Sequence, residues 1–250
     1  MKILALIPAR MGSSRFPGKP MVLILGTPMI GYVYEQVAKS PLIDTVAVAT
    51  CDKEIYDYIE SIGGVAVMTS DKHERASDRC AEALLSLEQA YNIRYDIVVM
   101  VQGDEPMTHP DMIAEAVQPL LDDADVNVVN LLAQIKDISE FEDRNCIKVV
   151  CDLKLDALYF SREPIPTRSK CSEIPMGKQV CIIPFRRDYL LEYTRLAPTP
   201  LEIAESVDMM RILEHGMKVR MAYTKHTTCA VDTLSDLKKV EQLMLLNNYE

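Results

Sequence analysis

The chain has 250 residues, of which 48% are hydrophobic and 26% charged, and its formal net charge is −10. This composition is typical of a globular protein that is long enough to build a sizeable core. The acidic balance argues against a nucleic-acid interface, which would need a broad basic face. No apolar run approaches the length of a membrane span, and the apolar run after Lys2 is interrupted by "IPAR", unlike a secretory signal. We therefore expect a cytoplasmic protein that binds neither nucleic acid nor membrane.

Strand and helix patterns alternate along the first half of the chain. Buried strands are predicted at "ILALIPA", "TVAVAT", "VAVMT" and "DIVVMV". The intervening segments are typical of helices: "TPMIGYVYEQVAKS", with Thr27 as N-cap and Pro28 at the first helical position, "EIYDYIESI", closed by Gly63 and Gly64, and "SDRCAEALLSLEQAY". This order predicts an α/β fold with a mostly parallel, doubly wound sheet and helices on both faces. Such sheets bind ligands beyond the carboxyl ends of their strands.

The second half of the chain has a more mixed pattern. Strands are predicted at "VNVVNLLAQI", "CIKVVCD", "ALYFSR", "VCIIPF" and "KVRMAYT", and "REPIPTRSKCSEIPMGKQ" reads as a loop. One helix is predicted over "PLEIAESVDMMRILEHG", ending at Gly216, and another over "LSDLKKVEQLMLL". We expect a single domain over residues 1–250, with a smaller, more antiparallel lobe at about 130–210.

The loop "ARMGSSRFPGKP" after the first strand concentrates positive charge in an acidic chain. One interpretation is a solvated surface loop, and the other is a phosphate cradle built from backbone N–H groups, hydroxyls and cations. Its place at the carboxyl end of a parallel strand favours the cradle. It is not a P-loop, because five residues separate Gly12 from Gly18 and Pro20 follows Lys19. The dinucleotide fingerprint is also absent from the sequence.

Two carboxylates are candidates for a metal site. Asp104 follows the strand "DIVVMV", where a carboxylate can hold Mg²⁺ and leave room for phosphates. Its alternative role is a turn acid that caps the next helix. Asp232, in "CAVDTLSDL", would complete the metal site, or would be the N-cap of the closing helix.

These motifs together resemble one family. "IPARMGSSRFPGKP", "VQGDEPM", "ALYFSREPIP", "TPLE" and "VDT" occur in this order over nearly the full length, as in the 3-deoxy-manno-octulosonate (Kdo) cytidylyltransferases. The first two are specific to sugar-activating cytidylyltransferases, and "ALYFSR" followed by "IP" to the Kdo branch. The resemblance implies a Rossmann-like nucleotidyltransferase sheet, a homodimer and an Mg²⁺-dependent reaction. In that reaction CTP and an ulosonic acid give a CMP-sugar and pyrophosphate, for surface polysaccharide biosynthesis.

The resemblance also implies roles for individual residues. The catalytic residues would be Arg10, Lys19 and Asp104, and the Mg²⁺ ligands Asp104 and Asp232. Nucleotide contacts would come from Ala9, Arg10, Gly12, Ser13, Arg15, Lys19, Ser77, Arg79 and Gln102. Acceptor contacts would come from Gln102, Arg162, Gln179, Glu202 and Asp208. A reaction of this kind requires neutralised charge and aligned reactants more than a protein nucleophile.

The sequence departs from the family in two segments. "RASDR" has Arg75 and Ala76 where the family has Ser and Gly, and in "QVCIIPF" Gln179 and Ile183 replace a His and a Tyr of the sugar pocket. A pocket that pairs sugar hydroxyls discriminates through such groups. We therefore expect an altered acceptor pocket in which Kdo is used poorly or through other contacts.

Three functions remain open from the sequence. The first is a cytidylyltransferase for Kdo or a Kdo-like ulosonic acid, and the second transfers CMP to another small anionic acceptor, such as a phosphonate or sugar phosphate. The third is a non-catalytic nucleotide-binding homologue. The intact Arg10, Lys19, Asp104 and Asp232 argue against the third.

Overall fold

The structure, a computed structural model, describes residues 1–12, 16–171, 173 and 176–246. Its strands are β1 Ile3–Ala9, β2 Leu23–Ile24, β3 Thr27–Pro28, β4 Thr45–Thr50, β5 Ala66–Met68, β6 Ile97–Val101, β7 Val129–Ile135, β8 Lys148–Cys151, β9 Ala157–Ser161, β10 Met176–Val180, β11 Ile182–Arg186 and β12 Arg220–Thr224. Its helices are α1 Met29–Ala38, α2 Lys53–Ser61, α3 Ala76–Tyr91, α4 Pro110–Asp122, α5 Ile138–Glu142, α6 Arg187–Tyr193, α7 Pro200–Glu205, α8 Met209–Glu214 and α9 Leu234–Leu246, with a 3₁₀ helix at Lys19–Met21. Within these ranges no helix is long and apolar enough to cross a membrane.

The chain divides into two compact units, and unit 1 comprises Met1–Ala114 and Thr227–Glu250. Four of its strands lie in one sheet in the order β6-β1-β4-β5, and each neighbouring pair among them is parallel. Helices α1, α2 and α3 pack against these strands, whose apolar residues form the core. The strand order reverses between β1 and β6, and ligands bind at such switch points. The predicted doubly wound α/β sheet is thus confirmed.

Unit 2 comprises Glu115–His226 and contains a mixed sheet. Its strands lie in the order β12-β7-β10-β8-β9. The pair β12–β7 is parallel, while β7–β10, β10–β8 and β8–β9 are antiparallel. This is the mixed character that the second half of the sequence predicted, and the range of about 130–210 expected for the smaller lobe lies inside this unit.

The predicted start of the first helix is wrong. Thr27 and Pro28 form β3, which pairs with β2, and α1 begins only at Met29. The two residues between these short strands, Leu25 and Gly26, have φ of 47° and 91°. Two consecutive positive φ values are typical of a two-residue hairpin turn. This hairpin keeps Thr27 extended, and Pro28 takes the N-cap position in its place.

Two segments of unit 2 also differ from the prediction. The single helix expected over "PLEIAESVDMMRILEHG" is two helices, α7 and α8, because Ser206 has a left-handed conformation with φ of 52°. The expected strand "VCIIPF" is shared between β10 and β11, with Cys181 between them. Most of β10 lies in the stretch predicted as a loop, where it is paired with β7 and β8. Pairing on both sides stabilises this strand although its own residues carry little strand signal.

Candidate active site

The loop after β1 turns back towards the sheet and presents Lys19. Its start is held by Asp52, whose carboxylate accepts from the N–H of Met11 at 2.8 Å. The end of the loop returns to Met11, because the N–H of Gly18 donates to the Met11 carbonyl at 3.0 Å. Gly18 has φ of 73°, a conformation that glycine adopts at little cost. Phe16 packs against the apolar cluster around Met29 and Val231, so the base of the loop is anchored.

Asp104 reaches the same end of the sheet through the segment after β6. Gly103 lies close against β1, and a Cβ there would be 3.3 Å from the carbonyl oxygen of Pro8 and 3.0 Å from Cδ1 of Ile30. The carbonyl oxygen of Asp104 accepts from the N–H of Val231 at 2.9 Å. That bond aligns the two chain segments and brings the next residue, Asp232, beside Asp104.

Lys19 lies between these two carboxylates. Its Nζ is 2.6 Å from Oδ2 of Asp104 and 3.1 Å from Oδ1 of Asp232. The side chains are largely shielded, with exposed fractions of 11% for Lys19, 23% for Asp104 and 17% for Asp232. Burial by itself lowers the pKa of the Lys19 ammonium, but the two carboxylates outweigh it and hold the pKa above its ordinary value. The site therefore carries a charged lysine and two acids in contact.

The helix-capping alternatives for the two acids do not fit their positions. Thr233 directly precedes α9, and its hydroxyl accepts from the N–H of Asp236 at 3.2 Å. The carboxylate of Asp236 in turn accepts from the N–H of Thr233 at 2.8 Å, which completes a capping box. The N-cap of α9 is thus Thr233 and not Asp232. Asp104 lies six residues before Pro110, the first residue of α4, too far to cap that helix.

The donor set at this point fits the predicted Mg²⁺. Oxygens of Asp104 and Asp232 already converge on a single cation, the Lys19 ammonium. Mg²⁺ prefers oxygen ligands and is usually held by one or two carboxylates, with waters and phosphate oxygens completing its shell. Both carboxylates are partly exposed, which leaves room for such further ligands. Magnesium binding itself stays a prediction.

The other predicted nucleotide-binding residues fall into three groups. Ala9, Arg10, Gly12 and Gln102 lie at the carboxyl ends of β1 and β6, where Arg10 and Gly12 are exposed and Gln102 is half-buried. Ser13 and Arg15 lie outside the described residues.

Ser77 and Arg79 are buried in the first turn of α3. The guanidinium of Arg79 donates to the hydroxyl of Thr69 and to Sγ of Cys51. These contacts give Arg79 a structural role in joining the ends of β4 and β5, and its contact with the nucleotide stays a prediction.

The acceptor residues predicted in unit 2 have extensive internal contacts. Glu202 is fully buried, caps α7 and forms two hydrogen bonds to the Arg211 guanidinium, at 2.6 and 2.7 Å. Arg162 donates from Nε to the main-chain oxygen of Glu205 at 2.6 Å. Asp208 is half-buried and directly precedes α8. These contacts are structural, and a role of the three predicted residues in acceptor binding stays a prediction.

Gln179 is oriented by a buried neighbour. Asn130 donates from Nδ2 to the main-chain oxygens of Leu131 and Val180, at 2.8 and 2.9 Å. Its Oδ1 therefore faces Gln179 and accepts from Nε2 at 2.6 Å. Ile183, the other departure from the family's sugar pocket, is buried with an exposed fraction of 2%.

Several contributing residues were not singled out from the sequence. Asp52 lies two residues after the end of β4, so the expectation of ligands at the carboxyl ends of strands could have included it. Asn130 and Arg211 had no such signal, because their roles depend on partners 49 and nine residues away that only folding brings into contact.

Comparison with known proteins supports the motif assignment. The cytidylyltransferase family model matches residues 4–250. The chain is 44% identical to a 3-deoxy-manno-octulosonate cytidylyltransferase of Geobacter metallireducens over 96% of each chain. It is 37% identical to the enzyme of that name from Fusobacterium nucleatum over 99% of each chain.

Solved structures agree with this relationship. A CMP:2-keto-3-deoxy-manno-octonic acid synthetase complexed with CTP matches with a TM-score of 0.88 and 36% identity, over 99% of this chain and 100% of that one. A 4-diphosphocytidyl-2C-methyl-D-erythritol synthase from Anaerococcus prevotii shares the fold alone, with a TM-score of 0.64 and 13% identity over 98% of each chain. The chain is a nucleotidyltransferase and belongs to the 3-deoxy-manno-octulosonate cytidylyltransferase family.

Proposed function

We propose that the protein transfers CMP from CTP to Kdo and releases pyrophosphate in an Mg²⁺-dependent reaction. The observation that carries the proposal is the contact of Lys19 with Asp104 and Asp232 at the carboxyl ends of β1 and β6. The relatives named above act on Kdo, and the similar solved synthetase was complexed with CTP. The CMP-sugar would then serve surface polysaccharide biosynthesis.

The residues at this edge of unit 1 suit phosphoryl transfer. The anomeric hydroxyl of the sugar attacks the α-phosphorus of CTP, and pyrophosphate leaves in line. Arg10 and Lys19 would neutralise phosphate charge, and both belong to the loop that leaves β1. Asp104 and Asp232 would hold Mg²⁺, which when bound neutralises developing charge and orients the phosphate oxygens. The rigid base of the loop, closed by Gly18 and Met11, would keep the cations in position.

The residues of the chain indicate the acceptor less specifically than they indicate the nucleotide. Gln179 and Ile183 stand where the family has polar and aromatic sugar contacts, so a phosphonate or sugar phosphate remains the second candidate. Asn130 holds the Nε2 of Gln179, which leaves the Oε1 of that amide to accept a hydrogen bond. An accepting oxygen suits a hydroxyl better than an anionic oxygen, and Kdo carries several hydroxyls.

The test is pyrophosphate release from purified protein with CTP and a panel of acceptors. We expect release with Kdo and Mg²⁺, little release when ATP replaces CTP, and loss of release when EDTA removes the metal. Release with a phosphonate or sugar phosphate but not with Kdo would transfer the proposal to the second candidate. CTP binding in calorimetry without release for any acceptor would identify a non-catalytic homologue. A homodimer stays a prediction, which sedimentation of the same preparation checks.

A further inference from the structure

We propose that Lys19 blocks the metal site in the nucleotide-free enzyme and that CTP opens it. The Lys19 ammonium and a divalent cation compete for the same carboxylates, and the phosphates of CTP offer Lys19 another partner. Nucleotide and metal would therefore bind cooperatively. This inference rests on the proposed function, which assigns the metal to Asp104 and Asp232.

The competition follows from the contacts of Lys19. One ammonium is within hydrogen-bond distance of both acids, at 2.6 Å from Asp104 and 3.1 Å from Asp232. A divalent cation that binds both carboxylates has to approach the oxygens that Lys19 now contacts. Two cations so close would repel each other, and the shielding of all three side chains makes that repulsion stronger than it would be in open water. The metal therefore binds well only after Lys19 has left.

Lys19 also offsets the negative charge of the two acids. The main-chain bond from Val231 to Asp104 places two negative side chains next to each other. Like charges in contact repel each other, and an ammonium between them offsets that repulsion. Lys19 thus acts as an internal counter-ion that contacts both carboxylates.

Only the side chain of Lys19 needs to move for the exchange. Its backbone belongs to the 3₁₀ helix. The N–H of Met21 donates to the carbonyl oxygen of Gly18 at 3.0 Å, and the N–H of Val22 donates to the carbonyl oxygen of Lys19 at 3.1 Å. The four-carbon stem of lysine is flexible, so the ammonium can turn from carboxylate to phosphate. Exposed Arg10, on the same loop, adds positive charge that attracts the phosphates.

Thermodynamic linkage makes the coupling reciprocal. If CTP removes Lys19 from the carboxylates, it raises the affinity for the metal by some factor, and the metal raises the affinity for CTP by the same factor. Lys19 is then the residue that couples the binding of CTP to the binding of the metal. Without Lys19 the metal affinity should be high from the start, and most of the coupling should disappear.

The test measures Mn²⁺ binding to the full-length protein without nucleotide, by electron paramagnetic resonance. We compare the wild type with Lys19→Met, Lys19→Arg, Asp104→Asn and, as a control, Lys53→Met, which removes an exposed lysine of α2. Lys19→Met should bind Mn²⁺ about tenfold more tightly than the wild type, within the usual range of such couplings. Lys19→Arg keeps the charge and should resemble the wild type, as should Lys53→Met. Asp104→Asn should lose the site.

The outcomes separate this proposal from the proposed function. If Asp104→Asn abolishes Mn²⁺ binding but Lys19→Met binds no more tightly than the wild type, the blocking role of Lys19 is wrong and the metal site stands. If Asp104→Asn leaves Mn²⁺ binding unchanged, the metal assignment fails and this inference fails with it. Should Lys19→Met be too unstable to titrate, the rise in melting temperature with Mn²⁺ replaces the isotherm. That rise should be larger for Lys19→Met than for the wild type, and an equal or smaller rise would overturn the proposal.

Discussion

The N–H of Val231 donates to the carbonyl oxygen of Asp104 at 2.9 Å, although the two residues are far apart in the chain. This bond joins the segment after β6 to the segment before α9, and each segment carries one of the acids that contact Lys19. The positions of the two acids are therefore set by a backbone hydrogen bond, and their carboxylates converge on the ammonium of Lys19. The first two predictions concern this pair.

Asp104→Asn should abolish turnover and leave the protein folded. The substitution removes one negative charge from a metal ligand but preserves the size and hydrogen-bonding reach of the side chain. Pyrophosphate release and circular dichroism measure the two effects. Asp57→Asn, at an exposed position of α2, is the control and should keep full activity. An active Asp104→Asn enzyme would reject the metal role.

Thr233→Ala should mainly lower stability, whereas Asp232→Asn should mainly lower turnover. Thr233 caps α9, so its loss should lower the free energy of unfolding by about 1 kcal/mol while the folded enzyme stays active. Asp232→Asn should change stability less but remove turnover. Urea unfolding and the release assay check both variants. Asn caps a helix about as well as Asp, so an active and equally stable Asp232→Asn enzyme, with no loss of stability for Thr233→Ala, would restore the N-cap role of Asp232.

Glu202→Gln should be strongly destabilising. Arg211 is 3% exposed and Glu202 fully buried, so the variant leaves a buried guanidinium without its anion. Breaking such a pair costs about 3–5 kcal/mol. Urea unfolding measures the loss, and Glu192→Gln, at an exposed position of α6, is the control. Unchanged stability with a raised KM for the acceptor would instead support the predicted contact of Glu202 with the acceptor.

Asp156 should make stability depend on acid pH. Burial by itself raises the pKa of its carboxyl, but hydrogen bonds from Lys218 and Arg220, each at 2.8 Å, hold the pKa below its ordinary value of 3.8. The folded-state pKa is thus the lower one, so the stabilisation is present above pH 3.8 and is lost as the pH falls below it. Asp156→Asn should therefore cost more stability at pH 6 than at pH 3. Gln134→Leu, at an exposed and uncharged position of β7, should show no such difference.

Gln179→Leu should impair use of the acceptor but not of CTP, if Gln179 contacts the sugar as predicted. A lost hydrogen bond of about 1–3 kcal/mol corresponds to a loss of roughly five- to 160-fold in kcat/KM. Steady-state kinetics with Kdo and calorimetry with CTP separate the two substrates. Gln134→Leu, at an exposed position of the neighbouring strand β7, is the control. Equal losses for both variants would remove Gln179 from the acceptor site.

Elements with a strong local pattern were predictable from the sequence. β1, β4 and β6 are continuous apolar runs, and α3 has helical periodicity over 16 residues, so burial and local preference indicate the same structure. β10 and the break between α7 and α8 were not predictable. The first depends on pairing with strands elsewhere in the chain, and the second on a left-handed conformation that serine seldom adopts.

The features of the candidate active site also divide into those that the sequence predicts and those that depend on the tertiary structure. The sequence by itself determined the family, the cation-rich loop and the identity of both acids, because each belongs to a short motif in which spacing carries the chemistry. Only the tertiary structure decided that Lys19 contacts both acids, which are 85 and 213 residues away from it. It also decided that Thr233 caps α9 and that Arg211 neutralises buried Glu202. Such contacts depend on distances through space, which no local pattern of residues encodes.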